Sequence, residues 1–319
     1  MKKYFATILF VTAVVLVPKN VSAQFGSTID FLNLIQDTPA TVFTELFDPF
    51  FKISLDEAWE EVNTADVSLT PVKIGIVDSG VDASGELHPE FRNVNLGNTP
   101  LIAKTDSVSG GHGTQVAGII GANNLSATLS TNYEKFHMNG ILSGVHNLPY
   151  VLEIRKPTAV FSNTFSSDFF SVNLEIAKLA SENVDIINLT NATPLTETIF
   201  GPDLFYAANF FTFSDVLFVV AAGNIRFEFL AEQLGIDADL TSPARFGGIF
   251  DNVITVGATR LDDSRAPFSN FGNAVNLAAP GEHIYAPAPR GEGNFGVPSA
   301  DYEFDAAGTS FSAPMVTGV

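Results

Sequence analysis

The chain of 319 residues contains no cysteine, which excludes disulfide bonds, thiolate metal sites and a cysteine nucleophile. Basic residues are scarce as well, since 16 lysines and arginines stand against 35 acidic residues and give a formal net charge of −19. A surface with this charge repels nucleic acid and anionic membranes. We therefore expect no nucleic-acid partner, and we interpret the acidic surface as favouring solubility in a salty environment.

Apolar runs long enough to span a bilayer are also lacking, because a spanning helix needs roughly 20 residues. The apolar run from Tyr4 to Val17 is shorter; it follows the basic Met1-Lys2-Lys3 and precedes the small-residue segment Val21-Ser22-Ala23. This layout is typical of a secretory signal peptide, the alternative being an uncleaved membrane anchor. We expect residues 1–23 to be removed after Ala23, and the protein to be secreted or periplasmic without stable membrane insertion.

Apolar core residues are plentiful, with 46% hydrophobic residues and 29 phenylalanines. This supply and the chain length suit one large α/β domain, which we place at residues 53–319. Residues 24–52 show no clear period and are predicted to form an N-terminal extension or a short pro-region. The domain is predicted to start with a helix that Ser54 and Glu57 cap, because they have the spacing of a capping box.

Strand-like and helix-like patterns alternate along this domain. Apolar β-branched runs predict strands, and apolar residues at helical spacing predict helices. The predicted strands are 72–77, 150–154, 184–189, 216–220 and 253–256, and the predicted helices are 113–122, 169–183 and 203–213. Buried strands that alternate with helices indicate an α/β fold with a central, mostly parallel sheet and helices on both faces.

Polar residues that could take part in catalysis or binding lie at the ends of these predicted elements. Asp78 and Asn224 directly follow predicted strands, whereas His112 and Ser310 stand at the starts of predicted helices. Ligands of parallel sheets bind beyond the carboxyl ends of the strands, so these side chains can meet along one edge. Singly, they could be a turn acid, a turn amide, a loop histidine and a helix cap. Each of these structural interpretations is plausible for one residue, but together they explain the four residues poorly.

The local motifs around these residues resemble those of a known protein family. They read Ile-Val-Asp-Ser-Gly at 76–80, Gly-Gly-His-Gly-Thr at 110–114, Val-Val-Ala-Ala-Gly-Asn at 219–224 and Gly-Thr-Ser-Phe-Ser-Ala-Pro at 308–314. In this order the motifs resemble those of the subtilisin-like serine proteases, the subtilases of peptidase family S8. The resemblance runs from about Ile53 to the last residue. It implies a three-layer fold and a serine endopeptidase that acts on protein or peptide substrates and requires no cofactor.

The resemblance also implies a role for each residue. Ser310 would attack the peptide carbonyl, His112 would act as general base and then acid, and Asp78 would orient the imidazole. The side-chain amide of Asn224 and the backbone N–H of Ser310 would form the oxyanion hole. An esterase of the α/β-hydrolase class would instead carry a Gly-x-Ser-x-Gly motif, which is absent.

One stretch departs from the family pattern. The resemblance predicts Ser-x-Gly-Gly along one wall of the substrate site, where this chain has Thr190, Asn191, Ala192 and Thr193. The opposite wall, Ala221, Ala222 and Gly223, fits the pattern. A Cβ in place of glycine crowds the pocket, so we expect a shallow or altered specificity pocket. The departure keeps open an alternative function, a catalytically silent binding or scaffold module of the same fold.

Two further expectations concern the C-terminus and metals. The chain stops at Val319, nine residues after Ser310 and inside a helix that the resemblance predicts to continue, so we expect a domain truncated at its C-terminus. Subtilases often bind structural calcium, which takes several oxygen ligands. By position, Glu90 and Asn123 are weak candidate ligands, and exposed loop residues are an equally good interpretation of both.

Overall fold

The structure is a computed structural model, and it describes residues 51–65, 68–82, 88–100, 106, 111–122, 140–157, 169–191, 193–194, 202–224, 235–289 and 302–319. The helices in these ranges are α1 (Leu55–Thr64), α2 (His112–Gly121), α3 (Phe169–Ser181), α4 (Pro202–Thr212) and α5 (Thr309–Gly318). The strands are β1 (Val72–Val77), β2 (Tyr150–Arg155), β3 (Ile186–Leu189), β4 (Thr193–Pro194), β5 (Leu217–Ala221), β6 (Thr241–Ser242), β7 (Val253–Thr259), β8 (Leu277–Pro280), β9 (Ile284–Pro287) and β10 (Tyr302–Ala306). Short 3-10 helices lie at Phe51–Ile53, Pro89–Phe91, Ile141–Gly144, Ala238–Leu240 and Ala244–Gly248.

Six of the strands form one sheet in the order β2-β1-β3-β5-β7-β8. Every neighbouring pair in this sheet is parallel, which confirms the predicted parallel sheet. Two small antiparallel pairs, β9 with β10 and β4 with β6, lie outside it. Because all six strands of the large sheet run in one direction, the residues that follow them lie along one edge.

Helices cover both faces of the sheet because successive side chains of a strand point to opposite sides. In β5, Phe218 and Val220 belong to a buried core that includes apolar residues of α3 and α4. Val219 and Ala221 belong to a second core, which includes Met315 and other apolar residues of α5. Helix α2 packs against α5 and shares a third core with β1 and β2. The result is the predicted arrangement of three layers.

Helix α5 is hydrogen-bonded at its first and last turns to residues in or directly after strands of the large sheet. At its start, Thr309 Oγ1 accepts a 3.0 Å hydrogen bond from the backbone N–H of Gly223. Near its end, Thr317 Oγ1 accepts a 2.7 Å bond from Nδ2 of Asn188, a fully buried residue of β3. The helix that carries Ser310 is therefore held against the sheet at two points.

The predicted capping box at the start of α1 is wrong. Ser54 takes a left-handed backbone conformation, with φ of 52°, and its side chain makes no capping hydrogen bond. Helix α1 is instead attached by Trp59, whose indole N–H donates a 2.7 Å bond to the carbonyl of Ile141. In the part of the chain that the structure describes, no helix is long and apolar enough to cross a bilayer.

Candidate active site

Asp78 lies directly after β1, and its backbone N–H donates to the carbonyl of Arg155 on the neighbouring strand. The side chain is 1% exposed. Its Oδ1 accepts a 2.7 Å bond from Ser79 N and lies 2.8 Å from His112 Nδ1, while Oδ2 accepts a 2.7 Å bond from the hydroxyl of Thr190. Burial disfavours the charged form, but His112 and these donors outweigh it and hold the pKa of Asp78 below its usual value.

His112 is the first residue of α2, and the helix start packs tightly against the Asp78 turn. A Cβ on Gly113 would lie 2.1 Å from the carbonyl oxygen of Gly80, so only glycine allows this approach. The imidazole is partly exposed. Burial lowers the pKa of His112, but the adjacent Asp78 carboxylate outweighs burial and raises that pKa above its usual value. The Asp78 carboxylate can therefore stabilise a proton on the His112 imidazole.

Ser310 is the second residue of α5, and it is 9% exposed. The next residue, Phe311, packs its ring against the imidazole of His112 with 5.6 Å between the centroids. Helices α2 and α5 thus bring the predicted base and nucleophile to the same place. The Ser310 hydroxyl forms no hydrogen bond with the other described residues, and catalytic hydrogen bonds of this kind often tighten only when substrate binds.

The Asn224 side chain is held by the residue before the candidate nucleophile. Its Oδ1 accepts bonds of 2.9 Å from the backbone N–H of Thr309 and 3.0 Å from the Thr309 hydroxyl. With the oxygen bonded to Thr309, the amide nitrogen lies next to Gly308, the residue before α5. A Cβ on Gly308 would lie 3.1 Å from that nitrogen. Sequence reasoning overlooked Thr309, although its place in the Gly-Thr-Ser motif was a signal.

A second, partly buried acid, which sequence reasoning also missed, lies beside the Asp78 and His112 pair. Asp106 Oδ2 accepts bonds of 2.9 Å from the backbone N–H of Thr114 and 2.7 Å from the Thr114 hydroxyl. Burial, together with the charge of Asp78, raises the pKa of Asp106 above its usual value. The negative charge of Asp106 in turn contributes to the raised pKa of His112. Asp106 therefore acts on the imidazole through its charge.

The predicted substrate walls lie beside these residues. Thr190, expected in one wall, directs its hydroxyl to Asp78, and Asn191 is half-buried next to it. Ala192 lies outside the described residues. In the opposite wall Ala221, Ala222 and Gly223 are all buried. The two walls follow β3 and β5, which are neighbours in the sheet.

Of the two candidate calcium ligands, the structure describes only Glu90. Glu90 is fully buried, and its Oε1 accepts a 2.6 Å bond from the hydroxyl of Tyr302. Asn123 lies outside the described residues. Across the described ranges, no group of three or more His, Cys, Asp or Glu residues could hold a metal ion. Calcium favours six to eight oxygens, so Glu90 with its phenol partner does not fit that shell, and structural calcium stays a prediction.

Comparison with known proteins identifies relatives across most of the chain. The model of the subtilase family matches residues 70–319. Thermitase from Thermoactinomyces vulgaris is 27% identical over 282 residues, which are 85% of this chain and 82% of thermitase. The intracellular serine protease of Paenibacillus polymyxa is 30% identical over 256 residues, which are 77% of this chain but 64% of that protein.

A solved structure agrees with these matches. The crystal structure of a cold-adapted subtilisin-like serine proteinase superposes with a TM-score of 0.51 and 25% identity, over 82% of each chain. The sheet order, the helices on both faces and the family match all agree with the α/β fold predicted from the sequence. The chain belongs to the subtilase family of serine endopeptidases.

Proposed function

We propose that this protein hydrolyses peptide bonds through an acyl-enzyme on Ser310. The observation that carries the proposal is the 2.8 Å contact between His112 Nδ1 and Asp78 Oδ1, with Ser310 on the helix that packs against His112. A serine hydroxyl is a poor nucleophile at neutral pH and needs a base to take its proton. The free Nε2 of His112 would take that proton, because Nδ1 is engaged by Asp78.

The proton of the Ser310 hydroxyl would pass through His112 to the leaving amine. As Ser310 Oγ attacks, the carbonyl oxygen becomes an oxyanion, and imidazolium forms at His112 next to the Asp78 carboxylate. The imidazolium gives its proton to the leaving amine, which leaves an ester on Ser310. Water deprotonated by His112 hydrolyses this ester by the same steps, and Ser310 is regenerated.

The oxyanion would be stabilised by the amide of Asn224 and the backbone N–H of Ser310. Thr309 supports this role, because its backbone N–H and its hydroxyl both donate to Asn224 Oδ1. These two bonds fix the orientation of the side-chain amide and leave its nitrogen to donate elsewhere. A donor fixed before the reaction needs no reorganisation when charge develops, which is why such donors favour the transition state over the bound substrate.

We propose secretion or export to the periplasm as the place of action. The support is the basic, apolar and small-residue layout of residues 1–23. The family alone does not decide the compartment, since relatives in Paenibacillus polymyxa and Bacillus subtilis are named intracellular serine proteases.

The test is covalent labelling of the purified chain with a fluorophosphonate, read by intact mass. The reagent reacts only where an activated serine, a base and an oxyanion site are assembled. We expect one adduct on the native chain and none on Ser310→Ala. Ser312→Ala is the matched control, because Ser312 is buried, donates to the Pro280 carbonyl and has no assigned role in catalysis. An adduct that persists in Ser310→Ala would exclude Ser310 as the nucleophile.

A further inference from the structure

A fully buried acid, Glu90, takes no part in the proposed mechanism. Its Oε1 accepts a 2.6 Å hydrogen bond from the hydroxyl of Tyr302, a residue 212 positions later in the chain. The two residues belong to different parts of the fold, since Glu90 lies in the short 3-10 helix Pro89–Phe91 and Tyr302 begins β10. We call this hydrogen bond the latch, because it links two segments that are far apart in sequence.

Each end of the latch is fixed to a different hydrophobic core. Next to Glu90, the side chain of Phe91 is buried in the core that β1 shares with α2. Strand β10, which carries Tyr302, pairs with β9 in an antiparallel hairpin, and both strands contribute to the core that contains apolar residues of α5. The latch therefore joins the core beneath the helix of His112 to the core beneath the helix of Ser310.

Aromatic rings pack around the phenol of Tyr302 and hold it in position. Tyr285 stacks on it with 5.2 Å between the ring centroids, and the buried His88 meets it edge-on at 5.5 Å. Nδ1 of His88 accepts a 3.2 Å bond from the backbone N–H of Glu90. Burial, Tyr302 and the charge of Glu90 raise the pKa of Tyr285 well above its usual value. The acid and these rings thus form one cluster.

The surroundings of Glu90 do not suit calcium, the metal for which its position made it a weak candidate ligand. Calcium takes about six to eight oxygens from carboxylates, carbonyls and water. The described groups in the cluster around Glu90 are instead the phenol of Tyr302 and the rings of His88 and Phe91. A hydroxyl that donates to Oε1 also directs its hydrogen to the side from which a cation would approach that oxygen.

We propose that the latch closes the β9–β10 hairpin over residues 88–91 without a metal, and that Glu90 serves as its acceptor and not as a calcium ligand. Strand β10 leads into the residues before Ser310, so the latch holds the segment from which α5 starts. The physical cause is the cost of an unsatisfied carboxylate oxygen. A buried acceptor that loses its donor destabilises the fold by more than an average hydrogen bond contributes.

The test measures the melting temperature of the full chain in calcium chloride and in a calcium chelator. Ser310→Ala is the parent, so self-digestion does not enter the measurement and the result does not depend on the proposed function. Tyr302→Phe removes the donating hydroxyl and keeps the ring. We expect it to lower the melting temperature by about 3–6 °C, the shift that the loss of one such bond implies for a domain of this size. The shift should be the same in calcium and in chelator.

Tyr206→Phe is the matched control, because Tyr206 is a buried tyrosine of α4 whose hydroxyl forms no hydrogen bond with the other described residues. It should lower the melting temperature by less than Tyr302→Phe does. Hydrogen exchange then locates the effect, since Tyr302→Phe should speed exchange in residues 284–287 and 302–306 and the control should not. A shift no larger than that of the control, or unchanged exchange in the hairpin, overturns the latch.

Glu90→Gln tests the exclusion of the metal. It removes the charge that a cation requires and keeps an oxygen that can accept from Tyr302. Any effect of calcium on the melting temperature should therefore be equal in Glu90→Gln and its parent. A calcium effect that Glu90→Gln abolishes would make Glu90 a calcium ligand and overturn the proposal. The same holds if the shift caused by Tyr302→Phe disappears in calcium.

Discussion

The hydroxyl of Thr190 donates a 2.7 Å hydrogen bond to Oδ2 of Asp78, the carboxylate oxygen that His112 does not contact. Both oxygens of Asp78 are therefore engaged, one by the imidazole and a backbone N–H and the other by Thr190. A carboxylate held at both oxygens cannot rotate away from the imidazole. In the proposed mechanism Thr190 would be a positioning residue, because it would act on the reaction through Asp78.

Replacing Thr190 with valine should lower kcat/KM about tenfold while KM changes little. Valine keeps the shape but removes the donor, and a hydrogen bond to a charged acceptor contributes about 1.5–3 kcal/mol. The lost donor also lets the pKa of Asp78 rise toward its usual value of 3.8, but this lies below the range in which His112 titrates, so the acid side of the pH profile should not move. Steady-state kinetics across pH would measure both the loss in kcat/KM and the unchanged acid side. Thr190→Ser, which keeps the hydroxyl, should recover most of the loss, and equal kinetics for the two variants would contradict the assigned role.

Replacing Thr309 with valine should lower kcat about tenfold with little change in KM, because one of the two bonds that orient the Asn224 amide is lost. The same change removes the acceptor of the Gly223 N–H, so the melting temperature of the variant is measured beside its kinetics to show that α5 keeps its place. Removing an oxyanion donor outright costs about 10²–10³-fold in kcat, a magnitude measured in subtilisin. Asn224→Ala should therefore be the more damaging change.

The coupling between Thr309 and Asn224 can be tested by a double-mutant cycle. If Thr309 acts by orienting Asn224, then the double variant should be no slower than Asn224→Ala, since the group to be oriented is already gone. Strictly multiplicative losses in kcat would show that the Thr309 hydroxyl acts independently of Asn224.

Replacing Asp106 with asparagine should move the pH profile of kcat/KM to lower pH. In the proposed mechanism His112 acts as general base in its neutral form, so activity should rise as pH passes upward through the His112 pKa, which lies above its usual value of 6.5. Removing the Asp106 charge removes one cause of that elevation, so the midpoint of the rise should fall. Asp262→Asn is the control, because it removes an equal charge from an exposed loop where water and salt screen it. A midpoint that is unchanged or higher in Asp106→Asn would contradict the assignment.

Local sequence patterns predicted the elements that position the site. The apolar run before Asp78 and the glycines around His112 predict a strand end and a helix start, and both are found there. The contacts of Thr190 with Asp78 and of Thr241 with Ala222 were not predicted, because each joins segments whose proximity depends on strand order. Strand order is a property of the whole sheet, and no local pattern encodes it. The Ser54 capping box failed for a related reason, since packing of Trp59 against Ile141 attaches the helix without it.

The attachment of α5 at both ends has a mechanical consequence for heat inactivation. A helix held to the sheet through Thr309 at one end and Thr317 at the other cannot slide along its axis by even one residue, a step of about 1.5 Å, without breaking a buried hydrogen bond. Ser310, the proposed nucleophile, therefore keeps its position relative to β3 and the end of β5 while these two bonds hold. Thermal loss of activity should therefore coincide with the cooperative melting of the sheet and not precede it as a separate local event.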